Sequence, residues 1–155
     1  MSQARRITLP DLSHEERESV LSRDVSATLA FVDAKGYPRM VPCWFFWDGT
    51  AFFVTSDPTK FHVRCLRRDP RASICVEVED VVVGQRRANR QVKAVGRIEI
   101  FEDTANGWWP RIRAKYLEPA RLPDVMQDMP PRVVLRLEPE KITAHGGGTV
   151  TRSRA

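Results

Sequence analysis

Residues 26–55 constrain the fold of this chain most strongly, because short apolar segments there alternate with signals for tight turns. Ser26–Val32 is rich in small and β-preferring residues, and it is followed by Asp33-Ala34-Lys35-Gly36, whose glycine can adopt a positive φ. The apolar and aromatic run Tyr37–Trp47 comes next. Asp48-Gly49, a strong hairpin signal, then leads into Ala51–Thr55. Three strands joined by tight turns predict an antiparallel meander.

The rest of the chain predicts three more strands and a few short helices. Pro42 cannot donate to a ladder, which indicates an edge or a bulge in the second strand. Further strands are predicted over Ala72–Glu79, over Gln91–Glu102 with a bulge or bend at Gly96, and over Arg132–Leu137 extended by Ile142 and Thr143. Helices are predicted after the capping box Ser13–Glu16, from Ser56-Asp57-Pro58 onward, and over Asn106–Tyr116. Residues 80–90 read as a loop. Six strands without a βαβ rhythm predict a mainly β fold, a six-stranded antiparallel barrel with flanking helices.

Length and composition fit a single domain. The 155 residues are long enough to bury one core. We expect residues 1–12 to form a flexible arm, residues 13–145 the folded domain and residues 146–155 a flexible tail. No segment approaches the ~20 apolar residues of a membrane span, and the start of the chain lacks the apolar run of a signal peptide. Three widely spaced cysteines, Cys43, Cys65 and Cys75, suit a reducing compartment. The expected location is the cytoplasm.

A net charge of +5 favours anionic partners but does not choose among them. The cluster Arg86–Arg90 raises the alternative of a nucleic-acid binder, and a plain basic surface explains it equally well. A barrel that binds single strands needs exposed aromatic residues near the basic groove. The aromatic residues here concentrate instead in Trp44–Phe53, which we expect inside the barrel or against a ligand. We therefore do not expect nucleic acid to be the partner.

One group of residues predicts a phosphate site. Thr55 and Ser56 end a strand, and Lys60 and Arg64 follow at a spacing of four that places them on one face of a helix. Hydroxyls, free amides at a helix start and two cations suit a phosphate, and His62 could donate as well. Two observations oppose this interpretation. The Asp57 carboxylate would compete for the same amides, and both cations could simply be solvated.

The order of several motifs resembles the pyridoxamine-5′-phosphate-oxidase-like family of FMN-binding split barrels. The motifs are Tyr37-Pro38-Arg39-Met40-Val41-Pro42-Cys43-Trp44-Phe45, Trp47-Asp48-Gly49, Phe53-Val54-Thr55-Ser56, Arg64-Cys65-Leu66-Arg67-Arg68-Asp69-Pro70-Arg71-Ala72-Ser73, Val95-Gly96-Arg97-Ile98-Glu99 and Val134-Leu135-Arg136-Leu137-Glu138-Pro139. The resemblance covers roughly residues 15–145. The chain is shorter than the true oxidases, lacks their basic strand motif over Arg39–Trp44, and lacks their C-terminal ending. It therefore looks closer to their short relatives.

The resemblance implies a homodimer with two cofactor sites at its interface. The strand Met40, Val41, Pro42, Cys43, Trp44 would run along the isoalloxazine ring. Thr55, Ser56, Lys60, His62 and Arg64 would hold the phosphate, and the partner chain would supply Gln91 and Lys93. The family commonly has lysine where this chain has His62, which weakens the phosphate assignment, and Lys60 could substitute. Trp108 and His145 are candidates for lining a substrate pocket, although packing explains each of them better. No residue is singled out as an acid or a base.

The cofactor implied is FMN, with the deazaflavin coenzyme F420 as the alternative, since both carry a tricyclic ring and a ribityl phosphate. The implied activity is an oxidoreductase that transfers a hydride to or from a small organic substrate. The competing hypothesis is a protein of the same fold that stores, senses or sequesters flavin or haem without turnover.

Overall fold

A computed structural model describes residues 9–82, 86–104, 107–118 and 130–146, with the side chains of 81, 82 and 86–88 outside the description. Seven strands and three helices follow one another along the described chain: α1 His14–Ser22, β1 Ala27–Val32, β2 Pro38–Cys43, β3 Phe46–Trp47, β4 Phe52–Ser56, α2 Phe61–Arg68, β5 Arg71–Val82, β6 Arg86–Glu102, α3 Trp108–Tyr116 and β7 Val133–Gly146. None of the helices in the described ranges is long and apolar enough to cross a bilayer.

The sheet must curl, because its two edge strands are almost consecutive in the chain. The strand order is β2-β1-β5-β6-β7-β4-β3, and every pairing is antiparallel. A flat sheet would separate β2 from β3 by six spacings of about 4.8 Å, or about 29 Å. Only Trp44 and Phe45 join these strands, and three Cα–Cα steps of about 3.8 Å reach about 11 Å. The sheet therefore closes into a barrel that is split between β2 and β3.

This split corrects the predicted number of strands from six to seven, while the mainly β, antiparallel barrel is confirmed. The run Tyr37–Trp47 does not form one strand. It leaves β2 after Cys43 and re-enters the sheet at the opposite edge as β3. Phe45 is fully buried between the two strands, and the chain turns there to place its ring in the core. Pro42 lies on the edge strand, as the sequence predicts.

The prediction of a loop over residues 80–90 is wrong. Strand β5 continues to Val82 and pairs with β6 from Arg86 onward, so the predicted basic loop belongs to a hairpin. Charged residues interrupt the alternation of apolar and polar residues in this segment, so the sequence pattern does not show where the two strands end. The predicted bulge is confirmed, because the β6–β7 register shifts between Val95 and Gly96. A Cβ at Gly96 would lie 2.7 Å from the Glu138 carbonyl oxygen, so β7 approaches the backbone there too closely for any side chain.

All three predicted helices are present, and the second begins later than the sequence predicts. In α1, the Ser13 hydroxyl accepts from the Glu16 amide and the Glu16 carboxylate accepts from the Ser13 amide, which confirms the capping box. Helix α2 begins at Phe61, three residues later than Pro58. The reason is local: the Asp57 carboxylate accepts from the Thr59 amide and hydroxyl and stabilises a turn instead of a helix start.

Both ends of the domain extend slightly beyond the expected boundaries. Asp11 forms an antiparallel bridge with His145, and the Leu12 amide donates to the Ala144 carbonyl. Residues 10–12, which we expected in the arm, thus lie along the end of β7. Gly146, expected as the first residue of the tail, completes β7 and pairs with Arg90. Residues 1–8 and 147–155 lie outside the described residues.

The core fills the barrel with side chains from alternate strand positions. In β6, Val92, Ala94 and Ile98 point inward and are buried. Phe45 and Phe52 pack with their ring centroids 5.8 Å apart, and both belong to the same core cluster. Of the aromatic residues in Trp44–Phe53, Phe45 and Phe52 lie in the core and Trp47 packs against it, whereas Phe46 and Phe53 belong to a second cluster. A smaller cluster, in which Trp108 packs against Phe53, Ala51 and Val134, secures α3 to the outside of β4.

Candidate functional site

A cavity of about 210 Å³ lies beside the split in the barrel, between β2 and β4. Its walls come from β1, from β2 and the residue after it, from β4, from the first turn of α2 and from α3. The lining residues are Leu29, Val41, Pro42, Cys43, Trp44, Val54, Thr55, Ser56, His62, Trp109 and Ile112. Seven of the twelve sequence-predicted site residues are therefore brought together here: Val41, Pro42, Cys43, Trp44, Thr55, Ser56 and His62.

The apolar side of the cavity is the strand that we expected to face a ring. Val41 and Cys43 are half-buried and pack against the core, whereas Met40, on the other face of β2, is 74% exposed and does not line the cavity. Burial raises the pKa of the Cys43 thiol to about 12, so it is a neutral, apolar wall at physiological pH. Trp44 stacks on Tyr116 at a centroid distance of 4.7 Å and an interplanar angle of 6°.

Helix α3 fixes the bend that carries Trp44 past the cavity. The Tyr116 hydroxyl accepts from the Phe45 amide at 3.1 Å and lies 3.0 Å from the Val25 carbonyl, to which it donates. Lys115 donates to the carbonyls of Leu21 and Phe45, and its Nζ lies 3.5 Å from the Phe45 ring centroid. Burial is the main cause that lowers the pKa of Lys115 to about 8 and raises that of Tyr116 to about 12. Tyr116 and Lys115 therefore provide hydrogen-bond partners for backbone groups at the point where the chain leaves β2.

The polar end of the cavity consists of two hydroxyls and one imidazole. His62 Nε2 lies 2.8 Å from Ser56 Oγ, and the ring packs near Phe31 at a centroid distance of 6.2 Å. Burial, followed by the charge of Lys60, lowers the pKa of His62 below its ordinary value. At neutral pH the imidazole is therefore mostly uncharged. It contributes a hydrogen-bonding group to this end, but little positive charge.

Lys60 and Arg64 do not line this cavity. Lys60 is the N-cap of α2, and its carbonyl accepts from the Arg64 amide at 3.1 Å, so the two residues lie one helical turn apart, as the spacing of four predicts. Both side chains are exposed. Their role in holding a phosphate stays a prediction.

A third cation, which the sequence reasoning missed, contacts the polar end. Arg132 Nη2 donates to Thr55 Oγ1 at 3.3 Å, and its guanidinium carbon lies 4.2 Å from the ring centroid of Trp109. Trp109 and Ile112, also missed, supply the α3 wall of the cavity. The only sequence pattern that pointed to Trp109 and Ile112 was the apolar face of the helix predicted to end at Tyr116. Arg132 lies 77 residues from Thr55 in the chain, and only the β4–β7 pairing brings them together.

The remaining predicted residues point away from the cavity. Gln91 and Lys93 alternate with the buried Val92 and Ala94 along β6, so they lie on the outer face of the barrel. Trp108 stacks on Phe53 at 3.7 Å, which favours its interpretation as a packing residue. His145 pairs with Asp11 at 2.8 Å, at the end of β7. None of these four predicted residues lines the cavity within one chain.

The described residues thus form an antiparallel split barrel with a largely apolar cavity that ends in two hydroxyls, one of them in contact with Arg132. The family model described as pyridoxamine 5′-phosphate oxidase matches residues 13–146, and the chain belongs to this family. No curated protein is significantly similar in sequence.

Solved structures agree with this assignment. A protein described as an F420 reductase is 25% identical, with a TM-score of 0.64, and the alignment covers 81% of this chain and 94% of that chain. A FAD-binding protein from Mesorhizobium loti is 21% identical, with a TM-score of 0.63, covering 90% and 96% of the two chains. A FAD and haem binding protein from Mycobacterium smegmatis is 19% identical, with a TM-score of 0.72, covering 91% and 75%. The last two similarities show the fold alone.

Proposed function

We propose that this protein binds FMN, or alternatively coenzyme F420, in the β2–β4 cavity and transfers a hydride between that cofactor and a small organic substrate. One observation carries the proposal. The strand that the family resemblance assigns to the cofactor ring and the hydroxyls that it assigns to the phosphate form the two ends of one cavity. The similarity to a protein described as an F420 reductase supports the alternative cofactor.

The residues present fit such a cofactor. Val41, Cys43 and Trp44 provide an apolar and aromatic surface suited to a tricyclic ring. Thr55 and Ser56 offer hydroxyls at the other end, and Arg132 adds a positive charge beside Thr55. The bound cofactor would supply the hydride chemistry. The chain's own residues would orient the ring and shield it from water, since none of the described residues that line the cavity is a carboxylate or a lysine.

We further propose that the site is completed by a second copy of the chain. A cavity of about 210 Å³ lies below the roughly 300–1,000 Å³ that small-molecule sites usually have. Large apolar side chains remain exposed, namely Tyr37 at 65%, Met40 at 74%, Phe61 at 44% and Val95 at 44%. Gln91 and Lys93 point outward from their own barrel, the orientation needed if they act on a neighbouring cavity. A homodimer would bury these exposed apolar side chains and would place Gln91 and Lys93 beside the cavity of the partner chain.

Titration of the purified protein with FMN and with F420, followed by absorbance and fluorescence, tests the proposal. We expect saturable binding of one of the two. We also expect Val41→Phe, which narrows the cavity, to weaken that binding at least tenfold while thermal unfolding shows a folded protein. Absence of binding of both compounds, or wild-type affinity in the folded variant, would refute the assignment of this cavity.

A second measurement separates an enzyme from a protein that only holds its cofactor. The bound cofactor is first reduced chemically, and candidate oxidised substrates are then added under anaerobic conditions. If the absorbance spectrum of the oxidised cofactor returns only when a substrate is added, the protein transfers the hydride and is an enzyme. A cofactor that binds tightly and never exchanges a hydride would favour storage or sequestration, and haem would then be the next ligand to titrate.

A further inference from the structure

Asp11 and His145 form a carboxylate–imidazole pair where the N-terminal segment crosses the end of β7. Asp11 Oδ1 lies 2.8 Å from His145 Nδ1, and the two residues also form an antiparallel backbone bridge. An ionised carboxylate can only accept hydrogen bonds, so Nδ1 carries the proton and Nε2 is the free end of the ring. A carboxylate in this position orients a histidine for proton transfer at its other nitrogen.

The two other histidines of the chain are held differently. His14 Nδ1 lies 2.9 Å from Arg17 Nη2, and because a guanidinium can only donate, this nitrogen accepts. His62 Nε2 lies 2.8 Å from the Ser56 hydroxyl, at the polar end of the β2–β4 cavity. Among the described residues, neither ring pairs with a carboxylate. His145 therefore differs from both in having an acidic partner on one nitrogen and a free second nitrogen.

Strand pairing places His145 beside the residues that we propose to act on a neighbouring cavity. In the β6–β7 register Gln91 lies opposite His145, and Lys93 lies opposite Thr143. The residues that alternate with them on both strands pack in or against the core, so these four side chains share the outer face of the barrel. We call these four residues the outer patch. A neighbouring cavity that Gln91 reaches is within reach of His145 as well.

The β2–β4 cavity lacks a good proton donor beside the strand that we assign to the cofactor ring. Of the described residues that line this side, Cys43 has a thiol whose pKa burial raises to about 12. His62 lies at the opposite, polar end, and burial lowers its pKa. Reduction of an organic double bond requires a proton in addition to the hydride. A group from a second chain is therefore the more suitable donor.

There is room for a substrate beside the outer patch. A cavity of about 330 Å³ is lined by Asp11, Thr143 and His145 and, from α1, by His14 and Arg17. This volume lies within the roughly 300–1,000 Å³ that small-molecule sites usually have, unlike that of the β2–β4 cavity. The His145 side chain is 38% exposed, so its free nitrogen is accessible to a molecule bound there.

We propose that His145, oriented by Asp11, is the proton donor for the reaction at the partner's β2–β4 cavity, and that the substrate is a small organic molecule with a polarised double bond. This inference rests on the proposed function. The hydride forms a C–H bond at one atom of the double bond, and the π electron pair moves to the other atom. That atom takes the proton from His145 Nε2, which leaves the imidazole neutral. The substrate gains two electrons, the cofactor loses them, and solvent returns a proton to His145.

NMR of the histidine side chains, recorded with and without FMN or F420, tests the contact without a substrate. The chain has three histidines, so His14→Gln and His145→Gln assign all three imidazole signals. We expect the bound cofactor to shift the signals of His145 and His62 and to leave His14 unchanged. If His62 shifts and His145 does not, the proposed function stands and the role of His145 is refuted. If neither compound binds, both fail.

The midpoint potential of the bound cofactor gives a second readout that does not depend on turnover. Reduction adds negative charge to the cofactor, and a nearby imidazole takes up a proton in response. The charged and titratable groups around His145 are Asp11, His14, Arg17 and Lys93. Between about pH 6 and 8, where histidine titrates, we expect the potential to fall more steeply with pH in wild type than in His145→Gln. His14→Gln, at the other histidine of the same cavity, should keep the wild-type slope. Equal slopes in wild type and His145→Gln would overturn the proposal.

Two oxidants separate proton donation from a structural effect. Cyclohex-2-enone accepts a hydride and a proton, whereas ferricyanide accepts electrons alone. His145→Gln should slow reoxidation of the reduced protein by the enone about 100-fold and by ferricyanide less than about twofold. Asp11→Asn, which keeps an acceptor for Nδ1 but removes the charge, should slow the enone about tenfold. Equal slowing with both oxidants would refute proton donation, and an enone that does not reoxidise the wild-type protein would refute the substrate class.

Discussion

The hydroxyl of Tyr116 is the smallest group whose removal should loosen the bend between β2 and β3. Tyr116→Phe deletes the acceptor of the Phe45 amide at 3.1 Å and the donor to the Val25 carbonyl at 3.0 Å. The ring, with its stacking on Trp44, stays in place. The change therefore isolates hydrogen bonding from packing.

The expected destabilisation follows from these two contacts. Each neutral hydrogen bond contributes about 0.5–1.5 kcal/mol, and an amide left buried without a partner adds a penalty of its own. Phe45 is fully buried, so water cannot readily replace the hydroxyl. We expect the free energy of unfolding to fall by about 2–3 kcal/mol. At roughly 3 °C per kcal/mol for a domain of this size, the melting temperature should fall by about 6–9 °C.

Urea denaturation and thermal unfolding measure this change. The chain offers a matched control in Tyr37→Phe, at its only other tyrosine, whose side chain is 65% exposed. That variant should stay within about 0.5 kcal/mol of wild type. A Tyr116→Phe protein as stable as Tyr37→Phe would mean that the bend does not depend on this hydroxyl, and the account of how Trp44 is held would be wrong.

Three further predictions test other parts of the structure. Gly96→Ala should destabilise the protein by about 1–3 kcal/mol in urea denaturation, because its Cβ would meet the Glu138 carbonyl oxygen at 2.7 Å. Lys141→Ala, at an exposed position of the neighbouring strand, should be nearly neutral. Lys115 binds its proton more weakly when folded, with a pKa of about 8 against 10.5, so its contribution to stability should rise between pH 8 and 10.5. Unfolding free energies across this range should therefore climb more in wild type than in Lys115→Met, and parallel curves would contradict the burial of this ammonium group. Met40→Asp, at the most exposed large apolar side chain among the described residues, should shift the protein toward monomer in sedimentation and weaken flavin binding in parallel. A monomeric variant with full affinity would show that one chain suffices for the site.

The sequence predicts the tight turns of the β1–β2 and β3–β4 hairpins, the edge position of Pro42, the capping box and the bulge near Gly96, because each depends on local backbone chemistry. The continuous three-stranded meander that it also predicts does not form, because β2 and β3 lie at opposite edges of the sheet. The sequence does not reveal the break at Trp44 and Phe45, since an apolar aromatic run reads equally well as one strand or two. Only the barrel's closure requires the split. The late start of α2 could not be predicted from the local sequence either, because an aspartate such as Asp57 can cap a helix or close a turn. In the structure its carboxylate accepts from the Thr59 amide and closes a turn.

The site is predictable where it follows one strand and hidden where it joins distant segments. Val41–Trp44 and Thr55-Ser56 line the cavity as expected from the family resemblance. Arg132 follows a proline-rich segment and carries no motif, so nothing in the sequence links it to Thr55. The spacing of Lys60 and Arg64 does place them one turn apart at the start of α2, but it does not fix the direction in which they face, and neither residue lines the cavity.

A crystal structure of the protein grown with FMN tests the central claim most directly. We expect the flavin ring against Val41–Trp44, its phosphate beside Thr55 and Arg132, and Gln91 or Lys93 of a second copy in contact with the cofactor. A flavin bound elsewhere on the barrel, or held wholly within one chain with the β2–β4 cavity empty, would contradict it.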